Sequence, residues 1–125
     1  MRESTLSMDD LIRRARAHPR IGEAGMILCH NGIVRGSDRS GGKRVRGLRV
    51  TVDAEAITAI REWGEAQPGI VTVLIEALEG DFAVGDDLLY VVVAGDIREN
   101  VFSAMREIVE RIKAGGVSKT EFYYD

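Results

Sequence analysis

The chain has 125 residues, of which 45% are apolar and 30% are charged. A chain of this length and composition can bury a core without a metal or a disulfide, so we expect residues 1–125 to form a single domain. The 20 acidic and 17 basic residues give a formal net charge of -3 at pH 7. This balance argues against a nucleic acid or an anionic membrane as partner, and any site for an anion must be local.

The cysteine content and the N-terminus indicate the cellular compartment. The single cysteine, Cys29, cannot form an internal disulfide, and its apolar neighbours predict a core thiol in a reducing compartment. No apolar stretch approaches the roughly 20 residues that span a bilayer. The acidic N-terminal region, with Asp9 and Asp10, lacks the apolar segment of a signal peptide. We therefore expect a cytoplasmic protein.

The first third of the chain predicts a helix, a strand and a loop. Ser7, followed by two aspartates, is a typical N-cap for a helix that ends before Pro19. The apolar, partly β-branched run over residues 25–35 predicts one strand, with a bulge at Gly32. Residues 36–43 contain three glycines and no apolar side chain, which predicts a mobile loop.

The middle of the chain predicts three strands and a helix. Apolar and polar residues alternate over 45–52, as in a half-buried strand. Asp53 is a typical N-cap for a helix that runs through Glu65 and ends at Gln67-Pro68-Gly69. The near-continuous apolar runs over 70–78 and 88–94 are typical of central strands.

The last third predicts the best-defined helix and a final strand. Asp96 and Glu99 have the spacing of a capping box in front of an apolar stripe at helical intervals. This helix is expected to end at Lys113, where two glycines release the backbone. Residues 117–124 can then run as an extended edge segment.

The order of the predicted elements indicates the fold class. It is helix, strand, strand, helix, strand, strand, helix, strand, and consecutive strands are close enough in sequence to pair antiparallel. We therefore predict an α+β fold of two layers with a mainly antiparallel sheet, and not a doubly wound α/β sheet.

Several patterns of known chemistry are absent from the sequence. It contains no nucleophile elbow, no complete phosphate-binding loop and no Cys or His cluster at zinc spacing, so we expect neither a metal site nor metal catalysis. The stretch 40–43 resembles half of a phosphate-binding loop but lacks the following Ser or Thr. His30 lies within an apolar strand, where a structural imidazole is the more common role. Asp86 and Asp87 have the position of solvated turn residues.

The basic residues remain as candidates for an anion site. The default interpretation of each is a solvated surface charge. Arg98 differs, because a cation in the first turn of a helix opposes the macrodipole by about 0.3 to 1 kcal/mol, so its position favours an anion beside it. Lys113, by contrast, is favourable at a helix C-terminus on stability grounds alone.

Several short motifs, read in order, resemble the large, catalytic subunit of molybdopterin synthase. No single motif is specific, and the resemblance, which covers about residues 25–121, depends on their order and spacing. The motifs are Gly32 to Arg35, the loop with Gly41-Gly42, the Gly85-Asp86 turn, the strand ending at Ala94-Gly95, Arg98 with Phe102, and Glu110 to Lys113 followed by Lys119.

The resemblance implies a fold, an activity and partners. It implies an α/β hammerhead fold and a homodimer at the centre of a heterotetramer. It also implies a ubiquitin-like small subunit whose C-terminal Gly-Gly thiocarboxylate enters the active site. The implied reaction, part of molybdenum cofactor biosynthesis, transfers sulfur from that tail to cyclic pyranopterin monophosphate and forms the dithiolene of molybdopterin. No cofactor is implied.

The resemblance also assigns residues. Lys113 and Lys119 occupy the positions of the catalytic lysines, and Arg35 and Arg98 match anion-binding arginines, with Lys43 and Arg39 as further substrate-binding candidates. Such cations suit a phosphorylated substrate and the negative charge that develops when a thiocarboxylate reacts. Two other interpretations remain open. One is a non-catalytic relative that serves as a dimeric binding module for a ubiquitin-like protein or a small anion, and the other is an unrelated structural or regulatory domain.

One distance limits how this site can be built. Arg98 and Lys113 are 15 residues apart on one predicted helix, which is about 22 Å at 1.5 Å per residue. They cannot both bind one small ligand within one protomer. Either one pocket is completed across a dimer, or the two ends of the helix contact different parts of the bound tail and substrate.

Overall fold

The computed structural model describes residues 6–124, and its elements follow the predicted order with one short strand added. The added strand is β4, which lies between the two long apolar runs. The helices are α1 (Met8–Arg16), α2 (Ala54–Glu65) and α3 (Arg98–Arg111), and the strands are β1 (Met26–Ile33), β2 (Val45–Val52), β3 (Ile70–Ala77), β4 (Gly80–Ala83), β5 (Asp87–Gly95) and β6 (Val117–Tyr123). A 3₁₀ turn (Ile21–Glu23) precedes β1, and a π-helical turn (Ile112–Gly116) joins α3 to β6.

The strands form two three-stranded sheets. Sheet 1 has the order β1-β5-β3 and sheet 2 the order β4-β2-β6. Every pairing between these strands is antiparallel, which confirms the predicted α+β class. Two details of the prediction are wrong. The consecutive strands β1 and β2 lie in different sheets, because the loop over 36–43 carries the chain from one sheet to the other.

The second wrong detail concerns β3, which is an edge strand of sheet 1 and not a central one. Its apolar run reflects burial of its two faces, since Val71, Thr72 and Val73 are all buried although only β5 pairs with the strand. A continuous apolar run therefore indicates that both faces of a strand are buried. It does not show that the strand is paired with another strand on both of its edges.

The main core lies between the two sheets and helices α2 and α3. Along β5, Val91 and Val93 point into this core, whereas Tyr90 and Val92 point to the opposite face, which α1 covers. This alternation follows from the two-residue period of a strand. Cys29 lies opposite Val92 and therefore on the α1 face. It is exposed and not in the core as predicted, because α1 covers the centre of that face and leaves the edge strand open.

The predicted caps of the first two helices are confirmed. The Ser7 hydroxyl accepts a hydrogen bond from the Asp10 N–H (3.2 Å), and the Asp10 carboxylate accepts one from the Ser7 N–H (2.8 Å). Asp53 Oδ1 accepts a hydrogen bond from the Ala56 N–H (3.1 Å). These contacts satisfy backbone donors that the first turn of a helix leaves free. The β1–β5 register does shift next to Gly32, but the extra residue is Leu88 of β5, because Gly32 pairs with Leu89 and Ile33 with Asp87.

The predicted capping box of α3 is wrong. The helix begins at Arg98 with Ile97 as its N-cap, so Asp96 lies one residue too early to cap it. The Asp96 carboxylate instead accepts hydrogen bonds from the Ile97 N–H (2.7 Å) and from the Asn100 side-chain amide (2.9 Å). Arg98 is therefore the first residue of the helix, where its positive charge opposes the helix dipole.

The C-terminal end of α3 also differs from the prediction. The α-helix ends at Arg111, and Lys113 lies in the π-helical turn that follows. Gly116 is buried at the end of this turn, and its carbonyl accepts a hydrogen bond from the Asp53 N–H (2.9 Å). The chain then enters β6, so Lys113 and Lys119 both follow the C-terminal end of α3.

Gly95 provides a test of the packing between β5 and α3. A Cβ at this position would lie 2.7 Å from Val101 Cγ2 and 2.8 Å from the Gly69 carbonyl oxygen. Because a backbone atom cannot move aside cheaply, we expect Gly95→Ala to lower the free energy of unfolding by about 1 to 3 kcal/mol. The matched control is Gly22→Ala, where nothing lies within 4 Å of the added Cβ. Urea unfolding measures both, and equal midpoints would contradict the described packing.

Candidate active site

Lys119 faces the inner side of sheet 2. It lies opposite Val50 in the antiparallel β2–β6 pair, and directly opposite residues of such a pair point to the same face. Val50 is only 3% exposed and belongs to the main core. Glu121 lies opposite the buried Leu48 and shares this side. Both charged side chains therefore start from the core-facing side of an edge strand, and at the sheet's margin Lys119 is exposed to solvent whereas Glu121 is half-buried.

The electrostatics around Lys119 show which charged groups are its neighbours. Partial burial lowers the pKa of the Lys119 ammonium below its ordinary value of 10.5, and the positive charge of Lys113 lowers it further. Arg39, from the loop, also lowers this pKa, whereas Glu121 opposes the shift. The charges of Lys113, Arg39 and Glu121 are thus all close enough to Lys119 to influence its titration.

His30 lies in the same region, on the edge strand of sheet 1. It is opposite Val91, which is fully buried in the main core, so the imidazole is on the inner face of sheet 1. Its Nε2 atom lies 3.8 Å from the position that a Cβ at Gly32 would occupy. Partial burial lowers the pKa of His30 below its ordinary value of 6.5, and the charge of Lys113 lowers it further. Both effects favour the neutral imidazole over the imidazolium.

These five residues, His30, Arg39, Lys113, Lys119 and Glu121, form a group that we call the lysine site. It lies between the edge strand β1 of sheet 1 and the edge strand β6 of sheet 2, where α3 ends. The sequence prediction left out His30 and Glu121. A signal for His30 was present, because Met26, Leu28 and His30 share one face of the strand by its two-residue period.

The other predicted site residues lie outside this group. Arg35 Nε donates a hydrogen bond to the Ser37 carbonyl (3.2 Å) in the loop. Lys43 Nζ lies 5.2 Å from the centroid of the Tyr123 ring. Arg98 is the first residue of α3, at the end of the helix opposite to Lys113. Of the predicted residues, the structure brings together Lys113, Lys119 and Arg39.

The lysine site suits the binding and reaction of an anion. Its cations can pair with phosphate or carboxylate oxygens, and a partly buried ammonium stabilises developing negative charge better than a fully hydrated one. A lysine with a lowered pKa can also release and regain a proton. Within residues 6–124, no group of three or more His, Cys, Asp or Glu side chains could hold a metal ion. No helix of that range is long and apolar enough to cross a membrane.

The structure is thus a small α+β fold of two antiparallel sheets, with a group of basic side chains at the end of α3. The model of a family described as MoaE protein matches residues 1–115, so the chain belongs to the MoaE protein family. The probable molybdopterin synthase of Haloferax volcanii is 28% identical over 115 residues, which are 89% of this chain and 44% of that protein. The chain therefore spans less than half the length of this relative.

Solved structures show the same fold. Molybdopterin cofactor biosynthesis protein E from Burkholderia multivorans superposes with a TM-score of 0.74 at 20% identity, over 98% of this chain and 84% of that chain. Molybdopterin synthase from Staphylococcus aureus gives 0.69 at 20% identity, over 82% and 77%. A complex of subunits 1 and 2 of molybdopterin-converting factor from Helicobacter pylori gives 0.70 at 17% identity, over 95% and 80%. The predicted hammerhead fold is thus confirmed.

The neighbourhood of His30 and Lys113 can be tested by titration. Lys113→Gln removes a positive charge that disfavours the imidazolium, so we expect the NMR titration midpoint of His30 to rise. Burial, the larger cause, remains, and the midpoint should stay below 6.5. Arg14→Gln, on the exposed side of α1 against the opposite face of sheet 1, is the matched control and should leave the midpoint in place. Equal shifts in both variants would show that Lys113 does not neighbour His30.

Proposed function

We propose that this chain is the large subunit of a molybdopterin synthase, a sulfurtransferase of molybdenum cofactor biosynthesis. The observation that carries the proposal is Lys119, which lies opposite the buried Val50 on the core-facing side of β6 and whose pKa is lowered by burial and by the charge of Lys113, in a chain of the MoaE protein family. The proposed substrate is cyclic pyranopterin monophosphate. The proposed sulfur donor is a ubiquitin-like small subunit with a C-terminal Gly-Gly thiocarboxylate. We place the protein in the cytoplasm, with residues 1–125 acting as one domain.

The residues of the lysine site take distinct roles in this proposal. Lys119 exchanges a proton with the reacting groups, because burial and the charge of Lys113 lower its pKa and so favour release of the proton. Lys113 is exposed at the turn after α3, and as an ammonium it stabilises the negative charge that develops during sulfur transfer. Arg39, beside Lys119, binds an anionic group of the substrate or the tail. Arg35 and Lys43, from the same loop, are further candidates for binding the substrate phosphate.

Arg98 enters the site from a second copy of the chain in this proposal. Its helix begins next to an exposed apolar surface, where Ile97 and Phe102 are each 52% exposed. A depression of about 470 Å³ adjoins Phe102 on the same helix. An exposed apolar patch beside an unneutralised cation is typical of an interface. We propose that a homodimer covers this patch and brings Arg98 of one protomer to the lysine site of the other, within a heterotetramer.

Reconstitution tests the proposed activity. The chain is mixed with a thiocarboxylated ubiquitin-like small subunit and cyclic pyranopterin monophosphate, and formation of the dithiolene is measured. We expect product with the wild-type chain and none with a small subunit that ends in an ordinary carboxylate. A wild-type chain that binds the small subunit but forms no product would overturn the enzyme assignment and favour a dimeric, non-catalytic binding module.

A further inference from the structure

His30 is a titratable group of the lysine site that has no role in the proposed function as described so far. Its imidazole is on the inner face of sheet 1, because His30 lies opposite the buried Val91 in the β1–β5 pair. Gly32 follows two residues later on the same face, and a Cβ there would lie 3.8 Å from His30 Nε2. The ring therefore extends along the strand toward the space that Gly32 leaves open.

Hydrogen bonding distinguishes this imidazole from a structural one. A histidine that stabilises a fold is normally held by hydrogen bonds to its ring nitrogens. Within residues 6–124, neither ring nitrogen of His30 has a hydrogen-bond partner, and no fully buried side-chain nitrogen or oxygen is left without one. Both nitrogens of this half-buried ring are therefore open to water or to a ligand. The structural role that the sequence favoured for His30 lacks the contacts that it requires.

His30 is also the member of the lysine site best suited to accept a proton. Burial and the charge of Lys113 lower the pKa of His30 below 6.5, which favours the neutral ring with one free lone pair. An ammonium or a guanidinium must first lose a proton before it can accept one. The carboxylate of the site, Glu121, belongs to the other sheet and accepts a hydrogen bond from the Tyr123 hydroxyl (2.6 Å). The free base of the site is therefore the imidazole.

The proposed sulfur transfer includes a step that needs such a base. When the sulfur of the thiocarboxylate tail bonds to a carbon of the substrate, the tail and the substrate are joined as a thioester. The sulfur remains on the substrate only if the bond between it and the acyl carbon of the tail breaks. A water molecule supplies the oxygen that replaces the sulfur, and the tail then ends in an ordinary carboxylate. Water attacks an acyl carbon faster when a base accepts its proton.

We propose that His30 is the general base that activates this water molecule, a role that rests on the proposed function. The imidazole accepts one proton of the water as its oxygen bonds to the acyl carbon. The bond between the acyl carbon and the sulfur then breaks with its electron pair on the sulfur, and the imidazolium returns the proton to that sulfur. The second proton of the water passes to solvent when the new carboxylic acid ionises. The step needs no oxidant or reductant.

Single-turnover kinetics test this role. The full chain is mixed with the thiocarboxylated ubiquitin-like small subunit and cyclic pyranopterin monophosphate, and the mass of the small subunit is measured in quenched samples. With the wild type, the covalent adduct of small subunit and substrate should be short-lived. In His30→Gln its hydrolysis should slow about 100-fold, so the adduct should accumulate. The matched control is Cys29→Ser, on the opposite face of β1, which should hydrolyse the adduct at the wild-type rate.

Two further measurements separate a base from a merely structural residue. Free imidazole should speed hydrolysis of the adduct by His30→Ala, because it replaces the lost base, whereas the loss of a structural contact gives no such rescue. Urea unfolding shows whether each variant is folded. If His30→Gln is not folded, His30→Phe takes its place, since it keeps a ring but has no nitrogen, and the same accumulation is expected.

The outcomes distinguish the role of His30 from the proposed function. A wild-type chain that forms neither the adduct nor the dithiolene overturns the proposed function. Product formation by the wild type, with hydrolysis equally fast in a folded His30 variant, overturns the role of His30 and leaves the function standing. A folded variant that forms no adduct also overturns this role, because the loss then precedes the attack of water.

Discussion

Replacing Lys119 by alanine is expected to lower the rate of dithiolene formation about 100-fold or more, as the loss of a proton-transferring group does. Lys119→Arg tests the role directly, because arginine keeps the positive charge but does not release its proton near neutral pH. We expect the arginine variant to keep less than about a tenth of the activity. Wild-type activity in Lys119→Arg would show that only the charge matters.

The matched control for this pair is Thr120→Ala. Thr120 is the next residue of β6 and lies opposite Arg49, so it points to the outer face of sheet 2. The alternation of a strand places neighbouring residues on opposite faces, and this variant should retain full activity. A loss as large as that of Lys119→Ala would show that β6 does not have the described register.

The pH profile adds a readout that a structural role would not change. If the neutral amine of Lys119 is the active form, activity rises with pH through its pKa, which lies below 10.5. Arg39 lowers this pKa and Glu121 raises it. Arg39→Gln should therefore move the rise to higher pH, and Glu121→Gln should move it to lower pH. Shifts in the same direction would contradict the assignment of the rise to Lys119.

Local patterns were sufficient to predict most of the elements but not their arrangement. Ser7 and Asp53 cap their helices as predicted, since the capping residue and the donors it satisfies are close in sequence. The separation of β1 and β2 into two sheets, and the edge position of β3, depend on contacts between distant segments. The prediction for Asp96 is wrong by a smaller margin. The helix starts one residue later than predicted, so the Asp96 carboxylate contacts the Asn100 side chain and does not cap the helix.

The sequence predicted only part of the lysine site. The resemblance to a family selected Lys113 and Lys119, which composition alone would leave as surface charges. The inward direction of Lys119 could not be predicted, because it depends on the register with Val50, about 70 residues earlier in the chain. His30 could have been selected from the alternation of β1, but its nearness to Lys113 required the packing of α3 against sheet 1.

The second large effect expected is complementation between two inactive variants. Arg98→Ala and Lys113→Ala homodimers should each lose most activity, because each lacks one component of every proposed composite site. After the two variants exchange subunits, half of the dimers are mixed, and each mixed dimer contains one site with both residues intact. Half of the dimers are mixed, and one of the two sites in each mixed dimer is intact. The mixture should therefore recover about a quarter of the wild-type activity.

The result discriminates between the two geometries that the length of α3 allows. Arg98 and Lys113 lie at opposite ends of this helix, so within one protomer they cannot contact the same small ligand. Recovery requires that the site be shared across the dimer, because a site within one protomer would stay defective in both chains. Mixing Lys113→Ala with Lys119→Ala is the control, since both lysines belong to one protomer's site and no intact site can form. Recovery in this control, or none with Arg98→Ala, would contradict the shared site.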